Sequence, residues 1–266
     1  MGRPVLLVVI LALTSGCRTG SGYPALEGPR YIGPPPVRTA RSNEDTIRVV
    51  TFNIQFSLRV DSAIAVLTGD SILRDADIVL LQEMDEPSTR RIAEVMGMTY
   101  AYYPATYHFK YQRDVGNAVL SRWPILEDRK IVLPHAGIFT ATHRTATGAT
   151  VKIDTMLVRV YSTHLHTVVN ASQESRRNQM RAILADAEPY PRVIIGGDMN
   201  HPTVGRVAAD AGYAWPTERG PRTAAVGRID HIFFKGLKPD SAATGTVLNQ
   251  RNASDHRPVW AKAVTR

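Results

Sequence analysis

The stretch Val193–Asn200, VIIGGDMN, places an acid and an amide just beyond a run of aliphatic residues. Val193, Ile194 and Ile195 read as a buried strand, and Gly196 and Gly197 free the backbone for a tight turn. In extended chain, side chains two apart share a face, so Asp198 and Asn200 project together past the strand end, where binding groups commonly sit. Taken alone, D-x-N equally fits an Asx turn whose side chains only cap backbone amides. The rest of the chain decides between the two.

Working outward, the same arrangement recurs. Asn53 closes VVTFNI, Glu83 closes DIVLLQE, His164 closes VYSTH, Asp230 precedes HIFF, and Asp255-His256 opens SDHRPVW. The pattern predicts strands over 47–54 and 77–82 and from 193, 229 and 259. Helices are expected over 61–73, over 88–96 with Ser88 as N-cap, and over 172–185, with short β-rich runs filling 100–163. This is a mixed α/β chain with strands enough for two sheets. Carboxylates converging at one rim repel each other and resist desolvation unless a cation joins them, so the pattern points to a metal. Oxygen donors favour a hard ion, Mg²⁺ or Mn²⁺, over zinc.

In order and context, TFNI (51–54), LLQEMD (80–85), STHL (162–165), GGDMN (196–200), RIDHIFF (228–234) and SDHRPVW (254–260) resemble the endonuclease/exonuclease/phosphatase superfamily, as does GNAVLSRWPI (116–125). The resemblance implies a deoxyribonuclease I-like fold, a four-layer α-β-β-α sandwich of two packed mixed β-sheets flanked by helices. It also implies metal-dependent hydrolysis of phosphate esters. On that likeness Glu83 is the main metal ligand, with Asn53 and Asp255 beside it. Asp198 and Asn200 position the attacking water and the phosphate, His256 is general base or transition-state donor with Asp230 orienting its ring, and His164 contacts the phosphate. Asp198 and His256 both stand as candidates for the base. Gln55 occupies a position where repair endonucleases of the family carry an acid, and Asp114 is a candidate partner for His164.

Residues 1–16 resemble a bacterial lipoprotein signal: Arg3, then apolar Val5 to Leu13, then Thr14-Ser15-Gly16 before Cys17, the single cysteine. Cleavage there would leave Cys17 to be lipidated. Residues 17–45 read as the lipidated cysteine and a Gly/Pro-rich tether, whose stretched reach of roughly 90 Å would hold a domain clear of a membrane. Residues 46–266 read as the catalytic domain. These readings place a monomer in the bacterial cell envelope, and Arg18, not being acidic, favours the outer membrane, facing periplasm or surface.

The net charge is +8, but the basic residues are dispersed and no basic arm stands out. That favours a small or lipid-borne phosphoester over nucleic acid. A surface-anchored endonuclease on DNA or RNA is the alternative, and a catalytically silent binding domain on the same scaffold a more distant one. His108, His135, His143 and His201 read as surface or hydrogen-bonded histidines, and His166 and His231 as residues facing away from the motifs they flank. The tyrosines from Tyr100 to Tyr111 read as packing.

Overall fold

The computed structural model describes residues 20–37 and 45–265. Residues 1–16 and Cys17 lie outside them, so the signal and lipidation readings have no structural counterpart here. The described strands form two sheets. The larger has eight strands: β1 (Gly20–Gly22), β2 (Tyr31–Ile32), β3 (Thr46–Asn53), β4 (Ile78–Met84), β5 (Thr99–His108), β6 (Arg113–Ser121), β12 (Lys238–Thr246) and β13 (Val259–Val264). Their order is β1-β5-β6-β4-β3-β13-β12, with β2 also on β5. The second sheet runs β11 (Asp230–Lys235), β10 (Val193–Asp198), β9 (Met156–His164), β8 (Thr145–Ile153) and β7 (Ile125–Val132).

Period-two alternation sorts each central strand between two apolar layers. Ile47, Val49, Ile78 and Leu80 of the large sheet meet Val158, Val160, Ile194, Ile232 and Phe234 of the small one between the sheets. Their neighbours Val50, Phe52, Val79 and Leu81 face outward onto α1 (Val60–Gly69) and α2 (Glu86–Met96). Val193, Ile195 and Phe233 face outward onto α3 (Gln173–Ala187) and α4 (Gly205–Asp210). The result is the four-layer α-β-β-α sandwich expected from the motifs. The N-cap of α2 is Asp85, whose Oδ1 accepts the Ser88 amide at 2.9 Å. Ser88, expected at that cap, lies inside the helix because Glu86 and Pro87 already adopt the first turn.

Gly196 and Gly197 do not form a turn. Both lie within β10, and each removes a different obstruction. A Cβ on Gly196 would come within 2.5 Å of Leu80 Cδ1 in the opposing sheet. One on Gly197, where φ is 151°, would lie 1.8 Å from the Thr163 carbonyl oxygen on the adjacent strand. The glycines let β10 approach both the other sheet and β9.

The tether reading fails over 20–37, which lies along the body of the fold. β1 pairs antiparallel with β5, from Gly20 opposite His108 to Gly22 opposite Thr106. Tyr23 donates its hydroxyl to Asp114 at 2.7 Å, and Arg30 forks onto Asp128 at 2.7 and 2.6 Å. The buried Lys130 ammonium donates to the carbonyls of Tyr23 and Gly28 at 3.0 and 2.7 Å. Backbone pairing needs no side-chain periodicity, so Gly/Pro-rich composition hides it.

Candidate active site

Strand direction gathers the rim. β3 and β4 run parallel, as do β9 and β10, while β11 runs antiparallel to β10. Asn53 and Glu83 therefore close their strands at one end of the large sheet, and Asp198 stands in register with both His164 and Asp230. Several hydrogen bonds tie the sheets together near that end, two of them through rim residues or their neighbours. Gln82 Nε2 donates to Ser162 Oγ at 3.0 Å, and Asn53 Nδ2 donates to Asp198 Oδ2 at 3.2 Å.

Asp198 serves both readings of its D-x-N. Its Oδ1 accepts the Asn200 amide at 2.8 Å, closing an Asx turn, while Oδ2 faces His164 Nε2 at 3.4 Å and His256 Nε2 at 3.7 Å. Asn200, at φ 52°, donates its Nδ2 to the Leu165 carbonyl at 2.9 Å, which fixes its amide at the rim. Asp198 is buried, and burial together with the neighbouring Asp230 carboxylate pushes its pKa up to about 7.

His256 donates from Nδ1 to Asp230 Oδ2 at 2.9 Å. Burial by itself would lower its pKa, but the charges of Asp230, Asp198 and Asp255 and the hydrogen bond to Asp230 carry it up to about 10. His164 is the opposite case. Burial and the nearby Arg144 cation hold it well below the ordinary imidazole value. Arg144 Nη1 stands 3.3 Å from His164 Nδ1 and can only donate, so Nδ1 accepts and the ring proton sits on Nε2, facing Asp198. Asp114 is bound to Tyr23 instead. The carboxylates beside His164 are Asp198 and Glu83, the latter 3.7 Å from Nδ1.

Glu83 sits at φ 57° in a bulge of β4, between residues still paired with β6. The bulge re-aims one side chain at the rim. A left-handed turn at Gln55, Phe56 and Ser57 (φ 42°, 55° and 54°) serves both Glu83 and Asn53. The Phe56 amide donates to Glu83 Oε2 at 3.0 Å, and the Gln55 amide to Asn53 Oδ1 at 3.1 Å. Arg113 holds this strained turn by donating to the carbonyls of Phe56 and Ser57, both at 3.1 Å. Burial raises the Glu83 pKa and Asp255 adds to it, while Arg144 and His256 oppose the rise. Asp255 itself is exposed at the edge of the site, its Oδ1 accepting from Ser254 Oγ at 3.3 Å.

The ligand atoms of Asp198, Asp230 and His256 lie within 4.8 Å of one another. Such a trio can hold a cation or share a proton, and the short Asp230–His256 bond favours the proton. Glu83, Asn53 and Asp255, the metal ligands that the resemblance implies, carry oxygen donors of the kind a hard divalent ion takes. Glu83 and Asp198, both displaced upward, would be relieved by one.

Sequence alone does not reveal three residues here. Arg144, His166 and His108 line a cavity of about 290 Å³ together with Glu83 and Phe56. Arg144 and His108 adjoin none of the motifs. His166 follows the end of β9, where strand alternation no longer applies, so the expectation that it faces away is corrected. Its Nε2 donates to the His135 carbonyl at 3.1 Å. His231 does face away, buried against Thr217 and the edge of Trp215.

An α/β sandwich of two packed sheets with acids, amides and histidines gathered at one rim defines the deoxyribonuclease I-like class. The chain belongs to the Endonuclease/Exonuclease/phosphatase family, whose sequence pattern matches residues 50–256. Members of that family are phosphoester hydrolases that generally use divalent metals. Solved structures of similar fold include D. rerio TDP2 humanised by 14 mutations, with TM-score 0.65, 18% identity, and coverage of 83% of this chain and 99% of that one. An endonuclease/exonuclease/phosphatase family protein from Leptotrichia buccalis has TM-score 0.65 and 18% identity over 82% and 99% of the two chains. Sphingomyelinase C from Streptomyces griseocarneus has TM-score 0.59 and 18% identity over 82% and 99%. At these identities the likeness is one of fold. No curated protein matches the sequence.

Proposed function

We propose that the protein is a divalent-metal-dependent phosphodiesterase acting on small or lipid-borne phosphate esters at the bacterial cell envelope. The observation that carries the reading is Asp198 Oδ2, set between Asn53, His164 and His256 at one rim of the sandwich. Glu83, Asn53 and Asp255 would hold Mg²⁺ or Mn²⁺, which would neutralise charge on the phosphoryl oxygens and the leaving oxygen. Asp198, its Oδ1 fixed by the Asn200 amide, orients water and takes its proton. His256, kept protonated by Asp230, donates from Nε2 to the phosphoryl group in the transition state. His164 and Arg144 hold Asp198 and Glu83 in place, and Asn200 positions the phosphate.

The test is hydrolysis by the purified protein of a small phosphodiester, a phosphomonoester, a phospholipid and DNA, with Mg²⁺ or Mn²⁺. Diester hydrolysis that a chelator abolishes and added metal restores is expected. Failure of folded, metal-supplied protein on every substrate would overturn the reading. Arg222 and Arg257, beside Asp255, favour the nuclease alternative. If that holds, DNA affinity will fall steeply with salt, log K dropping by about 0.9 per phosphate neutralised. For envelope attachment through Cys17, Cys17→Ser is expected to leave the signal uncleaved or to release the protein from the membrane fraction.

A further inference from the structure

Gly20, the first described residue, lines the same cavity as Glu83 and Arg144. The pairing of β1 with β5 fixes it there. Cys17 precedes Gly20 by three residues, so even fully extended chain puts its Cα no more than about 10 Å away. A lipid on Cys17 would therefore keep the cavity side of the domain near a bilayer and not clear of it.

Exposed apolar side chains stand beside residues that line the cavity. Ile138, Phe139 and Val169 are 71%, 70% and 65% exposed, and Val168 and Phe109 are also exposed. Phe139 is next in sequence to Thr140, Val168 to Thr167, Val169 to Asn170 and Phe109 to His108, all four of which line the cavity. The loops bearing Ile138–Phe139 and Val168–Val169 are joined: the Ile138 amide donates to the Asn170 carbonyl at 2.8 Å, and the Phe139 amide to Asn170 Oδ1 at 3.4 Å. Lys110, with its ammonium 5.3 Å from the Tyr111 ring centroid, supplies a cation beside Phe109, suited to a headgroup region. Large apolar side chains rimming a polar cavity mark an interaction surface.

We infer that the cavity mouth is a membrane-docking surface, seated on a phospholipid bilayer by Ile138, Phe139, Val168, Val169 and Phe109, and that the phosphoester cleaved there belongs to a lipid headgroup. This rests on the proposed phosphodiesterase activity and names its substrate class. The water oxygen bonds to phosphorus as the P–O bond to the leaving alcohol breaks. One water proton ends on that alcohol and the other on the phosphomonoester or solvent.

The test uses full-length lipidated protein reconstituted in vesicles of phosphatidylethanolamine and phosphatidylglycerol. Added fluorescence from Phe139→Trp is expected to be quenched by lipids brominated in the acyl chains. Ile138→Ser/Phe139→Ser is expected to slow headgroup cleavage about tenfold or more, from lost apolar burial, while leaving a soluble aryl phosphodiester unaffected. Equal vesicle-lipid rates in wild type and the double variant overturn the proposal. So does an indole at 139 that is already shielded without vesicles and unquenched in them, which would mean that the patch is covered by the chain itself or by a second copy. Lack of activity on both the soluble diester and the vesicle lipid would instead sink the phosphodiesterase reading, and the quenching would still decide docking.

Discussion

Gly196→Ala places a methyl in the space between the two sheets, and its cost follows from what it meets. The new Cβ lies 2.5 Å from Leu80 Cδ1, whereas its next neighbours, the His231 carbonyl oxygen and Ile232 Cγ1, are at 3.5 and 3.6 Å. The obstruction is thus one terminal methyl of a fully buried leucine. Overpacking of this kind costs about 1–3 kcal/mol. Leu80→Ala alone leaves a void between the sheets and costs about 2–5 kcal/mol. In the double variant the alanine methyl at 196 occupies part of that void and the clash is gone, so the combined loss should fall short of the sum by ~1–3 kcal/mol. Denaturant unfolding of wild type, both singles and the double, with unchanged m-values, measures this. Additivity within about 0.5 kcal/mol would refute the inter-sheet role assigned to Gly196.

Gly197→Ala should behave differently, since its Cβ would strike the Thr163 backbone at a positive φ; no side-chain truncation at Leu80 should recover the lost stability. His256→Ala or Asp198→Ala should lower turnover about 10²–10⁴-fold with little change in the denaturation midpoint, and near-wild-type rates in either would remove that residue from the chemistry. Arg144→Ala, which strips the cation from between Glu83 and His164, should lower kcat/KM by about 10²–10³ while Arg144→Lys restores part of it. For Asp128, burial alone would raise the pKa, but hydrogen bonds from Arg30 and Tyr103 hold it below the ordinary carboxylate value. A depressed folded-state pKa gives stability above the unfolded value of about 3.9 that is lost as pH falls through the folded one. Asp128→Asn should therefore destabilise by about 1 kcal/mol at neutral pH, a figure kept small because Arg30 is half exposed, and the gap to wild type should close below about pH 4.

Most of the fold is legible because its central strands are buried on both faces and write themselves as aliphatic runs. The rim residues are legible for the same reason: Asn53, Glu83, His164 and Asp198 each close such a run. What escapes are groups placed by long-range packing. Arg144 reaches Glu83 from the loop entering β8, with no periodic pattern to announce it. The Phe56 turn owes its position to hydrogen bonds with Glu83 and Arg113, and its ring packs on His108 at the end of β5, the ring centroids 5.1 Å apart. The Gly-Gly pair is visible, but its function is not, since one glycine answers to a leucine over a hundred residues away. Segment 20–37 escapes because backbone pairing with β5 leaves no mark on composition.

The position of β1 at the end of the larger sheet also sets a path for mechanical load. Tension on the chain ahead of Gly20 enters through the short β1–β5 ladder and the Tyr23–Asp114 bond. It passes to β5 and β6 before reaching β4 and β3, which carry Glu83 and Asn53. A tug at the N-terminus would peel the outermost strand first. The catalytic strands would feel it only after that sacrificial edge had given way.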